Sequence, residues 1–181
     1  MHEPKRIESN RRRDGSWYCV DSFVIGAPPG AVFPVLADLG GYERFWPGVA
    51  THLAPAERVE AGAQGVMTVR GLLGTLHLEF VVEELVVGKR VRLLSARGDA
   101  TGPLSIEVAG VDSSSRVTII WDGMTPRSLG ARLSIPRALH RCSTRGLKGL
   151  ERFVAAQAAN APASAKRQFE WRGTVPDEKG A

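Results

Sequence analysis

The chain has 181 residues, of which 43% are hydrophobic and 24% are charged, with only 2 Cys. This length predicts one domain with appendages, and this composition is typical of a soluble globular protein and excludes global disorder. No run of apolar residues approaches the ~18 that cross a membrane, and the charged N-terminus lacks the apolar core of a signal peptide. Cys19 and Cys142 form no disulfide framework, so we expect a reduced, cytoplasmic protein.

The net charge of +5 is concentrated in one late segment. Residues 132–152 contain six basic side chains and a single acidic one, Glu151. The N-terminal 14 residues add a smaller positive excess, and the remainder is slightly acidic. Net charge over the whole chain is therefore no argument for nucleic-acid binding.

Three regions differ in composition. Residues 1–14 are polar without periodicity and predict a flexible basic tail. Residues 161–181 are small and polar, are interrupted by Pro162 and Pro176, and predict a second flexible tail. Residues 15–160 remain as one compact domain without internal repeats.

The domain begins with an apolar, β-branched and aromatic stretch over residues 17–26, which predicts a strand. Two prolines then suit the first turn of a short helix, and Gly40-Gly41 separates it from a second short helix. Six extended segments follow at the spacing of an antiparallel meander. They cover roughly residues 49–59, 65–73, 75–87, 90–97, 103–111 and 116–124.

The last element is a long helix over about residues 136–160, because apolar side chains recur there at helical spacing. It would span about 37 Å at 1.5 Å per residue. An antiparallel sheet with one apolar face needs a cover, and no other element is long enough to provide it. We therefore expect an α+β protein in which a curved sheet grips one helix and leaves a binding cavity.

This order of elements, together with four local phrases, resembles the START/Bet v 1-like superfamily (SRPBCC, polyketide cyclase/dehydrase). The phrases are the first strand running into residues 27–29 (APP), then residues 32–38 (VFPVLAD), 41–49 (GYERFWPGV) and 115–119 (SRVTI), and the resemblance covers roughly residues 18–158. It implies a helix-grip fold of about seven antiparallel strands around a long C-terminal helix, with two short helices after the first strand. Because this fold hosts carriers, receptors and enzymes, the resemblance implies a hydrophobic cavity and leaves the reaction open.

The aromatase/cyclases of this superfamily carry a Trp-x-Ser-x-Arg pattern on a central strand. The corresponding stretch here is residues 80–84, with Val82 at the serine position and Glu84 at the arginine position. The polar groups for that cyclisation are therefore missing. If Phe80, Val82 and Glu84 point inward, His77 points outward, since side chains alternate along a strand. Glu84 is then a weak candidate for a catalytic acid or base.

Thirteen residues are predicted to line the cavity, although ordinary packing explains the aromatic ones equally well. Gly146 and Gly149 each cost about 1 kcal/mol relative to Ala in a helix, so they serve either close packing or ligand space, and the fold favours ligand space. The thirteen come from the short helices (Phe33, Tyr42, Phe45, Trp46), the central strand (Leu76, Leu78, Phe80, Val82) and the long helix (Leu139, Cys142, Gly146, Leu150, Phe153).

A cationic stripe runs along the long helix. Its members are Arg137, Arg141, Arg145, Lys148 and Arg152, at steps of 4, 4, 3 and 4. Such a stripe is either an ordinary solvated face or a docking surface for an anionic membrane or an acidic partner. Nucleic acid is disfavoured because no aromatic stacking platform accompanies the charges.

The sequence predicts no metal or cofactor, since its histidines are scattered and it lacks CxxC, HExxH, Walker, GxGxxG and GxSxG patterns. The first functional hypothesis is a carrier or presenter of a hydrophobic small molecule: a lipid, an isoprenoid or quinone, or a polyketide-like compound. The second is a polyketide cyclase/dehydratase-like enzyme that uses the same cavity. The third is a protein-interaction role, as in toxin-like members of the superfamily. The orientation of Trp121 and the oligomeric state stay open.

Overall fold

A computed structural model of the protein describes residues 5–54, 59–71, 74–127 and 129–160. The elements in chain order are β1 (Lys5–Arg11), β2 (Trp17–Ile25), α1 (Pro29–Ala37), a 3₁₀ helix (Leu39–Arg44), β3 (Val49–Ala54), β4 (Gln64–Gly71), β5 (Gly74–Val86), β6 (Arg90–Gly98), β7 (Ala100–Val111), β8 (Ser114–Pro126) and α2 (Leu129–Asn160). The predicted tail 161–181 and the side chain of Arg137 lie outside the described residues.

Within the described residues, the strands form one antiparallel sheet of eight strands in the order β1-β2-β8-β7-β6-β5-β4-β3. Strands β3 to β8 follow one another as the predicted meander, and β2 pairs with the last strand, β8. Tight turns help to set this pairing: Gly88 (φ 77°) before β6 and Asp112 (φ 53°) before β8 adopt the left-handed conformation. Helix α2 contacts β2, β8 and β4, which lie towards opposite edges of the sheet, so the sheet grips the helix.

Side chains alternate along β5 as expected. Leu76, Leu78, Phe80 and Val82 are buried, whereas the intervening His77 and its alternate neighbours are exposed. A β-bulge between Val82 and Glu84 then breaks the alternation, because an extra residue on one strand shifts the following side chains. The predicted inward phase therefore holds up to Val82 and fails at Glu84.

The two short helices pack onto the same core. Helix α1 buries Val32, Phe33, Val35 and Leu36, and the 3₁₀ helix buries Leu39 and Tyr42. Pro29 stands at the start of α1, where its missing N–H costs nothing. The Tyr42 hydroxyl donates a hydrogen bond to the Leu36 carbonyl oxygen at 2.8 Å, which ties the second short helix to the first.

Helix α2 begins at Leu129, before the predicted start at Pro136. Its 32 residues span about 48 Å at 1.5 Å per residue. A proline inside a helix removes one hydrogen bond and predicts a boundary. Here Ala131, Ile135 and Leu139 are all buried and stand four residues apart, so they continue the apolar face across the proline. Burial of that face offsets the missing hydrogen bond.

The N-terminal tail prediction is wrong over residues 5–11, which form strand β1. This strand pairs with β2 from Lys5↔Ser22 to Arg11↔Trp17 at the edge of the sheet. Its polar sequence carries no apolar alternation, because an edge strand gains its pairing from the backbone of its neighbour. Charged side chains are common on such edges, since they oppose pairing with another chain. Within the described part of the chain, the structure contains no helix long and apolar enough to cross a membrane.

Candidate functional site

The interior between the sheet, α2 and the short helices contains all thirteen residues predicted to line a cavity. Twelve of them are buried, and Phe153 packs half-buried against them. The inner strands and the apolar face of α2 thus meet as the sequence predicts. Burial alone does not make a ligand site, and the thirteen residues divide between a small cavity and close packing.

The cavity lies on the inner face of the central strands. Its volume is about 10 Å³, room for about one water molecule, whereas small-molecule pockets are usually some hundreds of Å³. Of the predicted residues only Leu78 and Phe80 line it. The remaining lining residues come from β4 (Met67), β6 (Leu93, Ser95), β7 (Gly102, Leu104) and β8 (Trp121, Met124).

Sequence reasoning missed those residues because it fixed the phase of β5 alone. Pairing places Met67 opposite Leu78, and Leu104 opposite Trp121, so each row of partners faces the same side of the sheet. The orientation of Trp121, left open by the sequence, is now known: it is buried and faces the cavity. The alternation of side chains along β4 and β6 was the available signal. It defines two faces for each strand, but no side chain indicated which of the two faces points inward.

The polar groups of the cavity wall are already engaged by the protein. Trp121 Nε1 donates to Ser143 Oγ on α2 at 3.0 Å, and Ser95 Oγ donates to the Ala100 carbonyl oxygen at 2.8 Å. The remaining side chains of the wall are apolar, and two of them, Met67 and Met124, are flexible thioethers. The cavity suits an apolar guest that displaces methionine side chains.

Aromatic residues fasten the second short helix to α2. The rings of Tyr42, Phe45 and Trp46 contact one another with centroids 5.3–6.2 Å apart, and Phe45 also meets Phe153 of α2. Trp46 Nε1 donates to the Cys142 carbonyl oxygen at 2.7 Å. This aromatic cluster is a packed joint between two elements, which accounts for the four aromatic residues without a ligand.

Gly146 and Gly149 of α2 both belong to this joint. A methyl group at Gly146 would collide with the Trp46 indole, and one at Gly149 would collide with the Phe45 carbonyl oxygen. The expectation that Gly146 leaves space for a ligand is therefore wrong. Small residues are needed there because the aromatic cluster lies directly against the helix backbone.

A buried carboxylate–imidazole pair, which sequence reasoning missed, joins β2 to α2. Asp21 is 0% exposed, and its Oδ1 lies 2.5 Å from Nδ1 of His140, whose side chain is 25% exposed. The Cys19 thiol donates to the other carboxylate oxygen at 3.4 Å. Nδ1 is the ring nitrogen that meets the carboxylate, the arrangement in which a carboxylate orients an imidazole. The available signal was the alternation of Cys19, Asp21 and Phe23, which put an acid on the buried face.

Two other titratable groups in the core are held neutral. Burial raises the pKa of the Cys142 thiol to about 12, and burial raises the pKa of the Tyr42 hydroxyl far above its usual range. At neutral pH Cys142 is therefore a thiol rather than a nucleophilic thiolate. Neither group is poised for acid–base chemistry near pH 7.

Glu84, the weak catalytic candidate, does not face the interior. Its side chain is 39% exposed, and Oε2 lies 2.7 Å from Arg90 Nη2. The hydrogen bond from Arg90 lowers the pKa of this carboxyl, which favours the ionised form. The β-bulge described above is the physical reason for the failed expectation. A surface carboxylate paired with arginine is a poor general acid for a buried substrate.

The cationic stripe of α2 faces solvent where it is described. Arg141, Arg145 and Arg152 are exposed and Lys148 is half-buried. Among the described residues, none of these four side chains makes an ion pair. The described part of the chain also contains no group of three or more His, Cys, Asp or Glu side chains that could hold a metal ion.

A long C-terminal helix gripped by an antiparallel sheet, with two short helices after the first long strand, defines a helix-grip protein. Residues 19–155 match the family described as "Polyketide cyclase / dehydrase and lipid transport". The chain therefore belongs to this family, and the resemblance drawn from the sequence is confirmed. No curated protein matches the chain.

Solved structures share the fold at low sequence identity. TTHA0849 from Thermus thermophilus has a TM-score of 0.66 at 20% identity, covering 80% of this chain and 99% of that one. The Zhui aromatase/cyclase from a Streptomyces species has 0.65 at 14%, covering 81% and 96%. A START superfamily protein from Mycobacterium smegmatis has 0.62 at 10%, covering 77% and 97%. At such identities the likeness shows the fold alone.

Proposed function

We propose that the protein binds a hydrophobic small molecule between its sheet and α2 and acts as a carrier or presenter. The candidate classes are lipids, isoprenoids or quinones, and polyketide-like compounds. The observation that carries the proposal is the cavity wall: seven of its nine side-chain positions are apolar or aromatic, and Ser95 and Trp121 already have protein partners for their polar hydrogens. Membership of a family described by lipid transport and polyketide chemistry supports the same class of ligand.

A cavity of about 10 Å³ must widen to admit such a molecule. Met67 and Met124 make this feasible, because unbranched thioethers change rotamer at low cost. Burial of about 300–400 Å² of apolar ligand surface contributes roughly 7–10 kcal/mol at about 25 cal/mol per Å². Association costs at least about 4 kcal/mol, which leaves at most about 3–6 kcal/mol, or dissociation constants from roughly several millimolar down to tens of micromolar. Such affinities suit a carrier that releases its cargo.

Native mass spectrometry of protein purified without detergent, followed by solvent extraction, tests the proposal. We expect a discrete added mass that extracts as a hydrophobic compound. If the protein is empty, Nile red titration gives a second readout: Leu104→Phe narrows the cavity and should weaken dye binding. Val66→Phe, at an exposed position on β4, is the matched control and should bind as wild type does. Equal dye binding by all three proteins would contradict the proposed site.

The stripe of α2 supports a docking role during ligand transfer. Its three exposed arginines would meet the anionic surface of a membrane, where each charge contributes on the order of 1 kcal/mol. A cytoplasmic location fits this role and is supported by two buried thiols, which an oxidising compartment does not favour.

The second candidate function is a polyketide cyclase/dehydratase-like enzyme, and the Asp21–His140 pair favours it. Asp21 orients the imidazole, and Nε2 of His140, rather than Glu84, would move the proton. The test incubates the extracted compound with protein and follows its mass. In the enzyme, His140→Gln abolishes turnover and retains binding, while His52→Gln, at an exposed position, changes neither. Unchanged turnover in His140→Gln would remove His140 from the mechanism.

A further inference from the structure

Thr51 on β3 carries a buried hydroxyl group without a partner. The residue is 4% exposed, and its Oγ1 makes no hydrogen bond within the described part of the chain. Two other buried polar atoms share this property, Arg90 Nε and Thr144 Oγ1, but both belong to half-buried residues. Native interiors rarely leave such a group unpaired, because its desolvation is then uncompensated. Of these three atoms of the described chain, Thr51 Oγ1 belongs to the most buried residue.

Strand pairing places this hydroxyl-bearing residue beside the cavity. Thr51 stands opposite Met67 on β4, and Met67 stands opposite Leu78 on β5. Partners in such a row face the same side of the sheet at the strand spacing of about 4.8 Å. Met67 and Leu78 line the cavity, so Thr51 lies on the same face of the sheet, one strand beyond the cavity wall. The flexible Met67 side chain is the group that a ligand would displace on its way to Thr51.

The charges of the buried residues restrict the kind of ligand group that the Thr51 hydroxyl can bind. The buried polar residues of the described chain are serines, Thr51 and the acidic Asp21, and none of them is basic. A ligand that ends in a carboxylate would lose its hydration there without gaining a cation. A hydroxyl group can donate and accept, so it pairs equally well with an alcohol, a phenol or a carbonyl.

We propose that Thr51 Oγ1 hydrogen-bonds the neutral polar end of the bound molecule. The ligand is then a hydrophobic body that ends in a hydroxyl or carbonyl group, rather than a plain hydrocarbon or a fatty acid. This inference rests on the proposed binding function and narrows its ligand class. It also gives the unpartnered hydroxyl its missing hydrogen bond.

Three probes with one ring system test the inference: 2-naphthol, 2-methylnaphthalene and 2-naphthoate. Their affinities are measured by fluorescence titration for wild type, Thr51→Val and Thr68→Val. Thr51→Val removes the hydroxyl at nearly constant shape. Thr68→Val makes the same change on β4 at a position between the buried Met67 and Val69, and so on the outer face.

We expect Thr51→Val to weaken 2-naphthol binding by about three- to tenfold relative to 2-methylnaphthalene, the loss of one neutral hydrogen bond. Thr68→Val should keep the wild-type ratio, and wild type should bind 2-naphthoate weakest. An unchanged ratio in Thr51→Val, or 2-naphthoate as the tightest probe, overturns the inference while leaving hydrophobic binding intact. Failure of wild type to bind any probe would instead count against the proposed function itself.

Thermal unfolding of the ligand-free variants supplies an independent readout. Because the hydroxyl lacks a partner, Thr51→Val should unfold at the same temperature as wild type or higher. A lower Tm would mean that the hydroxyl has a protein partner, and would overturn the inference. Thr51→Ser keeps the hydroxyl and should retain the wild-type probe ratio, which keeps the test valid if the valine variant folds poorly.

Discussion

The Asp21 carboxylate and the His140 imidazole meet at 2.5 Å across the boundary between β2 and α2, with the aspartate fully buried. The Cys19 thiol donates a hydrogen bond to Asp21 within β2. Ser143 of α2 accepts a hydrogen bond from Trp121 of β8. The centre of α2 is therefore attached to the sheet by hydrogen bonds as well as by apolar packing. This attachment makes the pair important for stability whether or not it transfers protons.

Removal of one partner should be costly. His140→Ala leaves the Asp21 charge buried and unpaired, and we expect a loss of about 3–5 kcal/mol in the free energy of unfolding, measured by urea denaturation. The exposed pair Arg12–Asp122 is the control, since Arg12→Ala should cost at most about 1 kcal/mol. Equal costs at the two sites would contradict the structural role assigned here.

Replacement of both Asp21 and His140 distinguishes the cost of leaving a charge unpaired from the cost of lost packing. The double variant Asp21→Leu, His140→Leu removes the charge together with its partner, so it should be distinctly more stable than His140→Ala alone. A double variant as unstable as the single one would show that packing, not the unpaired charge, sets the cost. Urea denaturation of wild type, His140→Ala and the double variant provides the comparison.

Alanine at the helix glycines should destabilise the protein, although alanine favours helix by about 1 kcal/mol. Gly149→Ala meets the Phe45 backbone, which cannot turn aside, and should cost about 1–3 kcal/mol. Gly146→Ala meets the Trp46 indole, which is buried and hydrogen-bonded to the Cys142 carbonyl oxygen, and should cost a similar amount. Gly26→Ala meets nothing within 4 Å and is the control. A Gly149→Ala protein that is more stable than wild type would refute the close-packing account.

The Cys142 thiol predicts a loss of stability in alkali. Its pKa is raised from 9.0 to about 12 in the folded protein by burial. The unfolded chain therefore ionises first, and the stabilisation from the buried neutral thiol is present below pH 9 and is lost as pH rises towards 12. Unfolding free energy measured across this range should fall more steeply for wild type than for Cys142→Ala. If the unfolding free energy falls equally with pH in both proteins, the fold does not protect the Cys142 thiol from ionisation.

The stripe of α2 predicts a charge-dependent membrane contact. Reversal of Arg141, Arg145 and Arg152 to Glu should lower the affinity for phosphatidylserine vesicles by on the order of 100-fold, measured by co-sedimentation. Reversal of Arg97, Arg116 and Arg127, which are equally exposed but lie elsewhere, makes the same change in net charge. If both triple variants lose binding equally, net charge and not the stripe is responsible. If wild type binds no vesicles, the stripe is an ordinary solvated face.

The sequence by itself determined the order of the elements from the first long strand to the last helix, the family, and the inward face of β5 up to Val82. The order of the elements rests on local information, namely the periods of two and 3.6 residues and the turn residues. The family and the inward face of β5 came from the resemblance to the superfamily. Of the thirteen predicted interior residues, the five of α2 follow from helical periodicity, and the four of β5 take their inward phase from the resemblance. Strand β1 was not predicted, because an edge strand of polar residues has no apolar periodicity.

Only the tertiary structure decided which interior residues face open space and which are packed. Gly146 looks the same in sequence whether a ligand or Trp46 lies beside it, and Asp21 stands 119 positions from His140 along the chain. Glu84 left its predicted side because one extra residue bulges from β5. Such contacts depend on cross-strand register and on how α2 is seated on the sheet. Register and helix position are set by the packing of the whole core, and no local periodicity encodes them.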